Sequence, residues 1–191
     1  MGVSLAPVDA RRLSGVRAKA FSLQTLEAVA AERFGAQVIA EWRAGVGFDF
    51  AGVTPASWVP LELYYHLVEL LVRRHLDRDE RRAAELGTEV ARREINGFFR
   101  LVLGFTSPLV ALSMSSRFWR SYFDRSEFVV VESGPGYLRA EVRDWPLTNA
   151  AVGYELGGAL LAWLQASRAS APVLQRLAWL RPGVLCLDAT W

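Results

Sequence analysis

The sequence predicts an α+β domain whose helices pack on one face of a small, largely antiparallel sheet. Three observations carry that expectation. Apolar residues recur at helical spacing through most of the first 123 residues, and the period drops to two at "EFVVVES". Alternating segments flank two tight-turn signals, Gly134-Pro135-Gly136 and Pro182-Gly183, each reading as a hairpin. One strongly apolar helix lies between the hairpins, so strands are segregated from most helices instead of alternating with them.

Residues 1–15 are small, polar or basic and read as a flexible tail; residues 16–191 read as one domain. "VRAKAF" (16–21) alternates Val16, Ala18 and Ala20 with Arg17, Lys19 and Phe21, a first strand expected to join the hairpins in a single platform. Ser22 then caps a helix whose Leu23, Leu26, Val29, Ala30 and Phe34 share a stripe until Gly35 ends it. A short helix, "AQVIAEWRA", precedes a Gly- and Pro-bearing loop. "PLELYYHLVELLVRRHL" (60–76) is the clearest helix, with Pro60 at its first position and a charged stripe of Glu62, His66, Glu69 and Arg73. A further helix runs from "DRDE" towards Leu103, its inner side carrying Ala83, Leu86, Gly87, Val90, Ala91 and Phe98. Ser107-Pro108 opens two short helices over 109–125. After the first hairpin, Asn149 caps a helix over 149–168.

Composition narrows the function. The 191 residues are 52% hydrophobic and 22% charged, enough to bury one core. The 22 basic and 20 acidic residues leave a net charge of +2, spread evenly along the chain, so no nucleic-acid footprint is expected. A single cysteine excludes an internal disulfide and fits a reducing compartment. The N-terminal segment lacks a signal-peptide core, and the apolar runs are too short or interrupted to span a bilayer, so the protein is expected to be cytoplasmic and not transmembrane.

Cys186 lies in the last strand with Val184 and Asp188 on its own face. A catalytic thiol needs an activating neighbour and a metal site needs several ligands, and no such spacing is present, so Cys186 reads as a packing residue. His66 and His75 are the only imidazoles; His66 reads as solvated, His75 as a boundary histidine at a helix C-terminus, although an inward imidazole there could ligate heme iron. The arginine pairs at 73–74, 81–82 and 92–93 alternate with acids at helical spacing and read as a solvated face. Glu94 and Glu155 stand in otherwise apolar helices without a visible partner and are not assigned as a general acid and base. Gly153, Gly157 and Gly158 imply close approach of their helix to the sheet or to what lies between.

The order of these signals resembles an uncharacterised protein family found mainly in myxobacteria and their relatives. Its features are matched by "VRAKAFSLQTLEAVAAERFG", "WVPLELYYHLVEL" (58–70), Leu86-Gly87, Ser107-Pro108 with Trp119, the Gly134–Gly136 hairpin, Gly157 and "CLDATW". That family is similar in fold to heme-NO-binding domains, 4-vinyl-reductase-type domains and small subunits of the TRAPP tethering complex. The resemblance implies a space for a small hydrophobic ligand between helices and sheet, or a dimerising scaffold. The Tyr-x-Ser-x-Arg motif of the heme branch is absent here, so no cofactor is expected, and heme only against that missing motif. The expected function is a non-enzymatic ligand-binding or sensory, regulatory domain. Its pocket would involve Tyr64, Val68, Leu71, His75, Leu160, Trp163 and Cys186. The alternative is a structural interaction module, a homodimer or adaptor, presenting the aromatic-rich 105–123 segment to a partner.

Overall fold

The structure, a computed structural model, describes residues 15–95 and 103–191. Residues 1–14 of the tail expected over 1–15, and Phe98 with the helix continuation around it, lie outside the described residues. The first strand, β1 (Arg17–Lys19), pairs antiparallel with β2 (Trp58–Pro60), placing Ala18 opposite Val59. This pair is a sheet of its own, joined to the chain just before the first hairpin by a bridge between Ala18 and Phe123 and by hydrogen bonds between Arg17 and Asp124. The expected single platform is therefore corrected to two sheets. The partner strand "WVP" is three residues long within a Gly- and Pro-bearing stretch, too short to register as a period-two pattern.

Helix α1 (Ala20–Phe34) starts before Ser22, and the expected serine cap is not made. Loop carbonyls take its leading donors instead: Ala20 N–H donates to Ser57 O at 2.9 Å and Phe21 N–H to Pro55 O at 3.1 Å. Helix α2 (Ala36–Val46) follows directly after Gly35 and ends at Gly47 in the left-handed region, φ 69°. Helix α3 (Leu61–His75) continues straight out of β2, with Pro60 just outside it as N-cap. A 3₁₀ turn (Glu80–Arg82), capped by the Asp79 carboxylate, feeds α4 (Ala83–Glu94). Helix α5 (Pro108–Tyr122) is one continuous helix instead of the expected two, opened by the Ser107 hydroxyl accepting from Val110 N–H. Nothing between 109 and 122 breaks it, because serines at 113, 115, 116 and 121 hydrogen-bond to backbone carbonyls while the helix continues.

The four-stranded sheet comprises β3 (Glu127–Gly134), β4 (Tyr137–Arg143), β5 (Val173–Arg181) and β6 (Val184–Thr190), in spatial order β3-β4-β6-β5 and antiparallel throughout. Both hairpins turn where the sequence predicts. Leu138, Ala140 and Val142 of β4 face Ala189, Leu187 and Leu185 of β6 in register, and all six are buried. Helix α6 (Ala150–Ala166), capped by Asn149 Oδ1 accepting from Val152 N–H at 2.8 Å, covers this face. Gly153 and Gly157 stand against Leu177 and Leu174 of β5, as a close helix-to-sheet approach requires.

Gly158 turns the other way. It meets the backbone of α4 at Ala84, while Gly87 of α4 meets the backbone carbonyl of Glu155 in return. Thr88 adds a hydroxyl donated to Gly158 O at 3.1 Å. These reciprocal glycines hold α4 and α6 at backbone-contact distance, and the position of Glu155 follows from that contact.

Candidate functional site

Helix α5 is hydrogen-bonded to the sheet side and packs Ala111 against Ala91 and Ala162 of the helices opposite. Ser116 Oγ donates to Phe128 O at 2.7 Å and Trp119 Nε1 donates to Ser126 Oγ at 2.8 Å. Across from α5 stands the tight α4–α6 pair, with the Phe118 and Trp163 rings 5.2 Å apart between centroids. The space left over is a cavity of about 140 Å³. Phe128, Val142 and Leu187 of the sheet border it, with Leu112, Leu156, Leu160 and Trp163 among its apolar walls. Its ionisable groups are Glu94 from α4, Glu155 from α6, Tyr64 and Tyr65 from α3, and Tyr122 from α5.

The two carboxyls differ in how they are met. Glu155 is buried, and both its oxygens are used: Tyr64 Oη donates to Oε1 at 2.8 Å and Tyr65 Oη to Oε2 at 3.1 Å. Burial pushes its pKa up to about 7, against the opposing pull of the two phenols. Burial first, then the neighbouring carboxylate, holds the Tyr64 and Tyr65 hydroxyls well above the ordinary phenol range, so both remain donors. Glu94 is pushed up to about 8 by burial and by Glu155, while a hydrogen bond with Ser22 pulls the other way. Glu94 Oε1 is buried and has no hydrogen-bond partner among the described residues. Tyr122 is raised by burial and by Glu94. Near neutral pH this corner therefore retains protons that water-exposed glutamates would have lost.

Of the residues expected to form the pocket, Tyr64, Leu160 and Trp163 line the cavity. Val68 and Leu71 belong to the fully buried core and are not among its lining residues. His75 stacks on Phe34, with ring centroids 4.8 Å apart and 24° between planes, and does not line the cavity. Cys186 sits one residue from the lining Leu187 and so faces the opposite side of the sheet. There its Sγ lies 3.6 Å from Asp188 Oδ1, and burial and that carboxylate push the thiol up. Asp188 is held low by Arg139, whose Nε donates to it at 3.0 Å. A thiol disfavoured as thiolate is a poor nucleophile. His66 is half-buried and accepts a hydrogen bond from Trp42 Nε1 at 3.1 Å, which corrects the solvated reading of that residue.

The sequence flagged Glu94 and Glu155 without finding their partners, and missed Tyr65 and Tyr122. A carboxylate in an apolar helix was the available signal; the phenols that face it come from other helices. The aromatic 118–123 segment packs partly inward. Trp119 lies against Phe123, Phe128 and Trp145 at centroid distances of 4.5, 5.6 and 5.5 Å.

No protein-family model matches the chain, and no curated protein matches it in sequence. Solved structures do. An Fe(II) unliganded H-NOX protein from K. algicida is similar with a TM-score of 0.64 at 10% identity, covering 90% of this chain and 95% of that one. An oxygen-binding H-NOX domain related to soluble guanylate cyclases gives 0.63 at 10% identity, over 90% and 92% of the two chains. A mutant of T. tengcongensis H-NOX gives 0.62 at 12%, over 90% and 94%. None of the described helices is long and apolar enough to cross a membrane.

The residues present do not suit heme. No histidine, cysteine or methionine lines the cavity among the described residues, and no arginine is there to meet propionates. Tyr64 and Tyr65 donate their hydroxyl protons to Glu155. The chain has the α+β fold of H-NOX domains, and two carboxyls line its cavity.

Proposed function

We propose that the protein is a non-enzymatic ligand-binding or sensory domain whose ligand is a small, mostly apolar molecule held between α4, α5, α6 and the sheet. The observation that carries this reading is the cavity itself. Protein interiors leave few voids larger than a water molecule. This space is about 140 Å³. An engineered cavity of about 150 Å³ with similar walls takes up benzene. The oxygen-binding H-NOX neighbour supports a sensory use of this fold by analogy. Helix α5 forms one wall of this space, held to β3 by Ser116 and to Ser126, just before β3, by Trp119.

Titration with toluene, followed by calorimetry and by fluorescence of Trp119 and Trp163, tests the reading. One saturable site is expected, lost when Leu160→Trp fills the space. A folded wild-type protein with no saturable response would remove the proposal. The absorption spectrum of the purified protein is expected to lack a Soret band, and a strong one would overturn the heme-free assignment.

The interaction-module reading draws on a different observation. Phe105, Leu109 and Val110 are 80%, 39% and 48% exposed at the start of α5, an apolar cluster facing solvent. If this turn meets a second copy, sedimentation at high concentration gives a dimer that Phe105→Glu dissociates. A monomer at all concentrations argues against it.

A further inference from the structure

Resting on the cavity reading above, we propose that Glu94 makes the polar corner an ammonium subsite, so that the ligand is a small organic amine: a protonated nitrogen on a body about the size of one aromatic ring. Glu155 has both oxygens satisfied by Tyr64 and Tyr65. Glu94 lines the same cavity and keeps one buried oxygen, Oε1, with no hydrogen-bond partner among the described residues. An unpaired buried acceptor is costly, and a ligand donor relieves the cost.

Three features select a cation over a neutral donor. No arginine, lysine or histidine lines the cavity among the described residues, so an ionised Glu94 has no counter-ion there. Phe118, Trp119 and Tyr122 border the same space, and aromatic rings attract ammonium groups. An inorganic cation needs more oxygen ligands than are gathered, since the described residues hold no group of three or more acidic, histidine or cysteine side chains placed for a metal. An alcohol could fill the hydrogen bond but would leave the charge uncompensated.

The groups facing Glu94 are Glu155 from α6, Tyr64 from α3, Tyr122 from α5 and Ser22 from α1. None is cationic. With the cavity empty Glu94 is protonated below about pH 8, so an ammonium ion binding to its carboxylate displaces a proton into solvent. Affinity then rises with pH towards that value, by up to about tenfold per pH unit.

Benzylamine, benzyl alcohol and toluene are the probes, compared by calorimetry between about pH 6 and pH 8.5 in buffers of different ionisation heat, a range in which the amine stays protonated. At the upper end benzylamine is expected to bind at least about tenfold more tightly than either neutral probe. Below it, benzylamine binding is expected to release protons while toluene binding releases none. E94Q removes the preference for benzylamine, and a saturable toluene response in that variant shows its cavity intact. Equal binding of all three probes to wild type, or a benzylamine preference surviving E94Q, overturns the amine assignment and leaves the apolar cavity standing. Failure of every probe to bind wild type overturns both.

Discussion

At residues 94 and 155 the protein holds two carboxyls where water does not reach well, and the sign of the consequence follows from linkage. Each has a folded pKa above the ordinary 4.5, at about 8 and about 7. The folded state keeps protons that the unfolded chain gives up, so their contribution is most favourable below about pH 4.5 and is lost as pH rises towards 7–8. Stability should therefore decline from pH 5 to pH 8 in urea titrations. Glu94→Gln should flatten the decline and, at pH 8, stabilise by about 1–3 kcal/mol, raising Tm by roughly 3–10 °C with little change at pH 5. An unaltered slope in that variant would mean Glu94 is ionised at little cost. Tyr65→Phe removes one of the two donors that pull Glu155 down, so the Glu155 carboxyl should titrate higher, as followed by carbon NMR. The glutamates were conspicuous in the sequence because each interrupts an apolar stripe. Their partners were not, because Tyr64 and Tyr65 lie 91 and 90 residues from Glu155 and meet it only in the folded chain.

Among the elements, the α4–α6 pair depends on the absence of two Cβ atoms. A methyl group at position 158 would strike the Ala84 carbonyl, and one at 87 the Glu155 carbonyl, backbone atoms that cannot rotate away. Gly158→Ala should cost about 3 kcal/mol or more by denaturant unfolding, and should also displace Glu155 from its tyrosines. Gly157→Ala meets only the methyl ends of Leu174 and Leu177 and should cost distinctly less. Gly45→Ala, in the exposed last turn of α2 with open space around it, should stabilise by about 0.5–1 kcal/mol. Equal costs at 157 and 158 would contradict the helix-to-helix role. The glycines of α6 were legible as a sign of close approach, but sequence alone did not say that they serve two different neighbours. The hairpins and α6 were legible because long period-two runs, turn residues and an asparagine cap agree. Strand β1 was legible as a strand and its partner was not, since three-residue strands carry no periodicity.

For the whole molecule, the order of elements was readable and the arrangement of the cavity was not. The α+β class and the antiparallel sheet follow from patterns local to each segment, and the H-NOX-like fold agrees with them. The cavity is bounded by α5, tied to β3, and by a helix pair drawn together by glycines, so it depends on contacts between segments far apart in the chain. That is why Tyr64, Leu160 and Trp163 were placed on its wall while Val68 and Leu71, neighbours on the same helical stripe, turned out to be solid core. The most direct test is a crystal structure of the protein under xenon pressure. The account predicts a xenon atom bounded by Leu112, Leu156, Leu160 and Trp163, with α5 unmoved. Side chains closed over that space and no xenon within it would contradict the ligand-binding reading.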